Sequence, residues 1–140
     1  MKRIVLFLLI TGFLGCKNNV IPEQELSNLN GYWEITEVAF ADGTKKNYTV
    51  NPTIDFIHLE NNQGFRKKVQ PKFDGSFNTS NITESFKVNY SNEVIILQYE
   101  NNLSAWEEKL VQLDSSSFSV LNEEGIKYSY KRFQPIVISK

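Results

Sequence analysis

Turn chemistry recurs about every ten residues from residue 30 onward, and this rhythm constrains the fold more than any other feature of the chain. The punctuating clusters are Ala41-Asp42-Gly43, Asn61-Asn62-Gln63-Gly64, Asp74-Gly75, Ser91-Asn92, Asn101-Asn102, Asp114-Ser115-Ser116 and the segment from Asn122 to Gly125. Gly, Asn and Asp tolerate the positive φ that tight hairpins require. Between the clusters lie runs of six to nine residues rich in Val, Ile, Phe, Tyr and Thr, the types that fit a pleated, half-buried surface. The pattern predicts strands over 31–41, 53–60, 64–70, 72–77, 84–90, 93–100, 105–113, 117–121 and 126–133. No twelve-residue stretch beyond residue 30 keeps a helical period. Pro71 cannot donate to a ladder and predicts a break or bulge where it stands.

Alternation sorts the faces. Phe86, Val88 and Tyr90 share one face, as do Phe118 with Val120, and Ile126 with Tyr128, Tyr130 and Arg132. Trp106 and Leu110 share a face with Glu108 between them, and Phe65 and Val69 share one with Lys67 between. The run 53–60 is ambiguous, because Ile54 and Phe56 oppose Ile57 and Leu59. Either both its faces are partly apolar or a bulge intervenes. Eight or nine hairpin-linked strands can bury one apolar face by closing into a barrel or by folding into a sandwich, and closure removes the exposed edges. The expected fold is all-β: a single antiparallel up-and-down β-barrel of 8–9 strands over residues 30–134, followed by a tail at 135–140.

The start of the chain reads differently. Met1-Lys2-Arg3 is cationic, and the eleven residues from Ile4 to Leu14 are almost wholly apolar. That is too short to span a bilayer as a helix, which takes about 20 residues, and it matches a secretory signal. Phe13-Leu14-Gly15-Cys16 resembles the lipobox of bacterial lipoproteins, in which the cysteine is diacylated on sulfur and becomes the new N-terminus. Residues 1–15 are therefore expected to be a lipoprotein signal peptide and Cys16 the lipidation site. Each buried acyl CH₂ contributes about 0.8 kcal/mol, so two or three chains anchor firmly. Residues 16–29 are expected to form a lipidated tether, with room for a helical turn over 23–26. The location this implies is the cell envelope, at the outer membrane. Cys16 is the only cysteine, so no disulfide supports the fold and a packed core must. Without Lys2 and Arg3, 13 basic face 16 acidic residues, a net charge of about −3. That balance supplies no basic footprint for nucleic acid.

Two short motifs carry a family resemblance. "LNGYWEITEV", residues 29–38, resembles the first strand of lipocalin-like proteins, whose signature is Gly-x-Trp, here Gly31-Tyr32-Trp33. "GIKYSYKRF", residues 125–133, resembles the closing strand of small bacterial lipocalin-like lipoproteins. The resemblance implies a lipocalin-like barrel in which an arginine of the last strand packs over the first-strand tryptophan, here Arg132 on Trp33. Independently of any family, the first and last strands of a barrel must meet. A desolvated guanidinium over an indole contributes about 0.5–2 kcal/mol and fixes their register. Both residues are expected to be structural.

Catalytic chemistry is sparsely provided. His58 is the only histidine, so it can neither build a metal site alone nor, without a Gly-x-Ser-x-Gly turn, form a recognisable triad. Glu107-Glu108 and Glu123-Glu124 are adjacent pairs; on a strand neighbours point to opposite faces, so neither pair builds one site by itself. Glu108 and Glu37 fall on the faces of Trp106 and Trp33 and need partners, for which Arg132, Lys67 and the tyrosines are candidates. Lys45-Lys46 and Arg66-Lys67-Lys68 read as solvated charge. Phe56, Phe65, Phe73, Phe77, Phe86, Tyr90, Trp106, Phe118, Tyr128 and Tyr130 fall mostly on the expected inner faces. An eight-stranded interior is just wide enough to be filled by side chains or to hold one small ligand, and sequence leaves both open. The leading expectation is non-catalytic binding of a small hydrophobic or amphipathic molecule, with Tyr90, Trp106, Phe118, Tyr128 and Tyr130 lining the site and Glu108 as a polar contact. The alternative is an envelope accessory protein with a filled barrel that binds another protein through its surface or loops. No metal or other cofactor is expected in either case.

Overall fold

The computed structural model describes residues 20–135; Cys16, the signal segment and most of the 135–140 tail lie outside the described residues. A 3-10 helix, Glu23–Leu29, precedes ten strands: β1 (Gly31–Ala39), β2 (Lys45–Asn47), β3 (Ile54–Glu60), β4 (Gln63–Pro71), β5 (Phe77–Thr79), β6 (Glu84–Ser91), β7 (Val94–Glu100), β8 (Ala105–Leu113), β9 (Ser117–Asn122) and β10 (Lys127–Arg132). Eight of these, β1, β3, β4, β6, β7, β8, β9 and β10, pair in turn, and β10 returns to β1, closing an antiparallel barrel. The short strands β2 and β5 lie outside this ring, on β1 and β4 respectively.

The turn residues act as their chemistry requires. Asn61-Asn62 and Asn92-Glu93 take positive φ at both positions, giving the two-residue hairpins whose twist matches the strands. Asp42, Asp74 and Asp114 each accept a backbone N–H and a hydroxyl from Thr44, Ser76 and Ser116, two residues on. These bonds to the charged form hold all three carboxyls below the usual range.

One end of the barrel is plugged. The 3-10 helix lays Leu26 and Leu29 into the interior, with Ile21 ahead of them. Residues 21–29, expected as tether, are thus part of the packed domain. Burial of each leucine contributes about 1.5–3 kcal/mol. Trp33 Nε1 donates to the Leu29 carbonyl at 2.8 Å. Arg132 stands opposite Trp33 in the β1–β10 register, its guanidinium carbon 4.0 Å from the ring centroid. Gly31 has φ +124°, and a Cβ there would collide with Arg132 Nη1, so the glycine of Gly-x-Trp makes room for the arginine. Above this floor Ile57, Phe86, Ile95, Leu97, Tyr99, Leu110, Phe118, Val120 and Tyr130 fill the lower and middle interior.

Several strand expectations are corrected. The expected strand 72–77 is a turn followed by β5, because β4 runs through Pro71 to a hairpin closed by Lys72 N–H donating to Ser76. β2 escaped notice because all three of its residues are exposed and polar. A bulge between Ile35 and Glu37 brings Val38, not Glu37, to the inner face. Glu37 instead pairs with Lys45 on the surface. The extra residue, Thr36, donates its hydroxyl to Ser129 O and accepts Tyr48 N–H through its carbonyl.

The ambiguity over 53–60 has a physical resolution: both faces of β3 are covered. Ile57 and Leu59 face the interior. Ile54 and Val69, each 2 % exposed or less, pair on the outer face and stand apart from the interior cluster. Beside them on the outer wall Tyr32 stacks on Phe77 at 4.2 Å, and Phe56 and Phe133 complete the layer. Phe56, Phe65 and Phe77 therefore lie outside the barrel rather than inside, and Phe73 is 90 % exposed.

Candidate functional site

The barrel's other end carries the polar chemistry. β4 and β6 pair through Arg66 and Glu84, and both side chains turn inward because Ile57, the partner of Arg66 on β3, belongs to the core. Arg66 Nε donates to Glu84 Oε2 at 2.9 Å, Nη2 stands 2.9 Å from the same oxygen, and Nη1 reaches Glu108 Oε2 at 3.5 Å. The Arg66 guanidinium lies 4.8 Å from the centroid of Tyr99, and Trp106 stacks on Tyr99 at 5.2 Å with the planes 1° apart. Phe86 closes on the same ring at 5.2 Å. One strand further along the inner face, Asp55 is buried and Lys68 Nζ stands 2.7 Å from its Oδ1. The angles there fall outside hydrogen-bond geometry, so Oδ1 has an ionic partner but no hydrogen bond.

Burial governs the protonation of this set. Loss of solvent pushes the Glu108 carboxyl above the usual range; Arg66 opposes that shift and Glu84 adds to it. Burial also works against the Arg66 charge, but Tyr99, Glu108, Tyr130 and Glu84 around it outweigh this and raise its pKa. Tyr99 and Tyr130 are pushed up by burial and stay neutral phenols at physiological pH.

The residues expected to line one site do not all meet. Trp106 and Tyr128 are half-buried on the inner face towards the open end, and Glu108 and Tyr130 lie beneath, both buried. Phe118 is at the plugged end, edge-on to Trp33 at 4.7 Å and stacked on Tyr130 at 4.6 Å. Tyr90 is next to the turn at that same end and 37 % exposed, so it shares no surface with Trp106. Arg66 and Glu84 belong to the cluster although sequence alternation put Phe65 and Val69 on the inner face. The missed signal was the Asn61-Asn62 hairpin. A two-residue turn sets Glu60 opposite Gln63 and hence Ile57 opposite Arg66. Lys67, proposed as a partner for Glu108, lies outside over Phe65 and Phe56, and His58 lies outside and exposed beside Phe65. Among the described residues no three His, Cys, Asp or Glu side chains converge as metal ligands.

Outside the ring, a cleft of about 370 Å³ opens between the 49–52 loop, the β4–β5 hairpin and residues 133–135, lined by Pro52, Pro71, Phe73, Phe77 and Phe133.

A closed eight-stranded ring with a helical plug and a Gly-x-Trp/Arg latch is joined by a sequence match: the profile of the lipocalin-like domain covers residues 29–120, more than half of the chain. The chain belongs to the lipocalin-like domain family. The solved structures that the chain resembles are distant in sequence. A lipocalin-like protein from Bacteroides uniformis is 18% identical, with 76% of this chain and 99% of that one covered at a TM-score of 0.49. A protein from Bacteroides eggerthii is 13% identical, covering 75% and 99% at 0.47. Lobster apocrustacyanin A1 is 12% identical, covering 79% of this chain and 63% of that one at 0.44. No curated protein is significantly similar in sequence. Within this lipocalin-like domain the open end, not the plugged one, combines half-exposed aromatic surface with oriented charge.

Proposed function

We propose that this protein is a lipid-anchored envelope protein that binds a small hydrophobic or amphipathic molecule at the open end of its barrel without chemically altering it. The observation that carries the reading is the placement of Trp106 and Tyr128, half-buried, near Arg66 and the buried Glu108, with the more exposed Glu84 on the same guanidinium. A barrel that only needed filling would use apolar side chains there. Replacing a buried ion pair with well-packed apolar groups is often neutral or stabilising, so a retained buried guanidinium calls for a use. An apolar wall with a few convergent polar groups is the usual make-up of a small-molecule site. The interior below is packed, so the ligand sits in the mouth rather than threading to the plug. Family membership supports binding over catalysis. The anchor rests on the Cys16 sequence context. No helix among the described residues is long and apolar enough to cross a membrane.

The test is native mass spectrometry of the protein purified from its own membrane in mild detergent. A bound small molecule that is lost from Trp106→Ala and retained by Phe73→Ala is the expected result. Uniformly bare protein, or a ligand retained by Trp106→Ala and lost from Phe73→Ala, refutes the placement. The latter outcome moves the ligand to the outer cleft; exposed Phe73 and Val50 there favour the second reading, an accessory protein that binds another protein through its surface or loops.

A further inference from the structure

We propose that the open end of the barrel selects ligands with a cationic head, an amine or quaternary ammonium on an apolar body, over those with a carboxylate head. The inference rests on the ligand-binding reading above and fixes the sign of the charge that the site accepts. Arg66 is the cation of this site, and it is already occupied: Nε and Nη2 hold Glu84, and Nη1 faces Glu108. An anionic head would have to share Arg66 with two carboxylates already on it, and displacing Glu108 would leave that buried carboxylate without its ionic partner, where unpaired charge is most costly. The carboxylates are in the opposite position. One guanidinium serves two of them, so the set carries a net charge of minus one when both are ionised.

Glu108 is under-partnered. Its side chain is 9 % exposed; its one ionic contact is the 3.5 Å approach of Arg66, and the Tyr99 hydroxyl is its other hydrogen-bond partner. A carboxylate offers about four acceptor positions, and Arg66 and Tyr99 leave about two of those on Glu108 to be filled. On the same inner face the Asp55 Oδ1 is buried with no hydrogen-bond partner, its charge balanced by Lys68 alone. The aromatic surface suits the same guest. The buried Tyr99 already holds one cation over its ring, and Trp106, stacked on it, and Tyr128 are half-buried aromatics. Indole and phenol faces attract ammonium groups and are indifferent or repulsive to carboxylates.

The groups bearing on Glu108 are Arg66 from β4, Glu84 from β6, Tyr99 from β7 and Tyr130 from β10, with the Asp55–Lys68 pair of β3 and β4 internally balanced. Arg66 stays charged and the two tyrosines stay neutral, so the sign of the mouth is set by its carboxylates. Because burial raises the Glu108 pKa, a bound cation displaces a proton there, and cation affinity strengthens as pH rises through the Glu108 titration.

Decyltrimethylammonium, decanol and decanoate, each below its micellar threshold, are titrated against the full-length chain near neutral pH and followed by calorimetry and tryptophan fluorescence. The ammonium is expected to bind at least about tenfold more tightly than decanoate, a difference of about 1.4 kcal/mol, with decanol between. Glu108→Gln, or Glu84→Gln at the more exposed carboxylate, narrows the ammonium-to-decanoate gap several-fold. Decanoate binding as tightly as the ammonium, or a gap that both variants leave intact, overturns the selectivity while ligand binding stands. Failure of all three compounds to bind removes the barrel reading and this inference together.

Discussion

Arg132→Met removes the latch of the plugged end while keeping most of its apolar stem. Three donors are lost: Nη1 to the Asn30 carbonyl at 2.6 Å, Nη2 to Asn28 at 2.9 Å and Nε to Ser115 at 3.0 Å. The first two are part-buried and bind carbonyls at the helix end, where intrahelical donors run out. Charge-assisted bonds of this kind contribute about 1.5 kcal/mol each at the low end of their range, and the exposed third adds little. The guanidinium over Trp33 adds about 0.5–1 kcal/mol. Against this, the site taxes the charge, since partial burial lowers the Arg132 pKa. The balance is a loss of about 2–3 kcal/mol, or about 8–12 °C in Tm for a domain of this size. Urea unfolding followed by tryptophan fluorescence and far-UV circular dichroism measures it. Arg132→Lys, with one ammonium in place of the fork, loses about half as much. Limited proteolysis adds a local readout, because Glu23–Leu29 should be cut faster in Arg132→Met than in a variant equally destabilised at β7. A Met variant within about 0.5 kcal/mol of the parent, with an unchanged denaturant slope, would show that the helix end is held by packing alone.

Glu93 occupies a left-handed position, φ 64°, in the β6–β7 turn, and Glu93→Gly should raise stability by about 1 kcal/mol, seen as a higher denaturant midpoint. Glu108 has a folded-state pKa raised by burial, so its native form holds a proton that the unfolded chain releases; its contribution is greatest below the ordinary value near 4.5 and declines as pH rises through the folded pKa. Glu108→Gln should therefore gain stability relative to the parent as pH rises from about 4.5; equal pH profiles of the two midpoints would contradict the raised pKa. Cys16→Ser should abolish metabolic labelling by a palmitate analogue and move the protein out of the membrane fraction, whereas labelling that survives the change would dismiss the lipobox reading.

The ring was legible in the sequence because it is encoded locally. Turn clusters, alternation in 84–90, 117–121 and 126–133, and the paired ends Gly-x-Trp and Tyr-Lys-Arg-Phe all act within a few residues, and the Trp33–Arg132 register follows from closure. What escaped depends on contacts between distant segments. The buried role of Ile21, Leu26 and Leu29 needs the barrel to exist first, and a polar, unperiodic stretch gives no sign of it. The inner position of Arg66 depends on counting register from the Asn61-Asn62 turn rather than on hydrophobicity. By hydrophobicity Phe65 looks inward, and it is kept outside beside Phe56 and His58. Ile54 and Val69 look misplaced until the two strands pair and set them side by side on the outer face, and β2 carries no apolar signal at all.

The chain enters the domain at Val20 beside the β6–β7 turn and leaves β10 at Arg132, both at the plugged end. The described chain thus starts at the back of the barrel, at the foot of the cup. The mouth formed by Trp106, Tyr128 and Glu84 lies at the other end of the barrel from Val20, so a contact made at the foot leaves its access to solution unchanged.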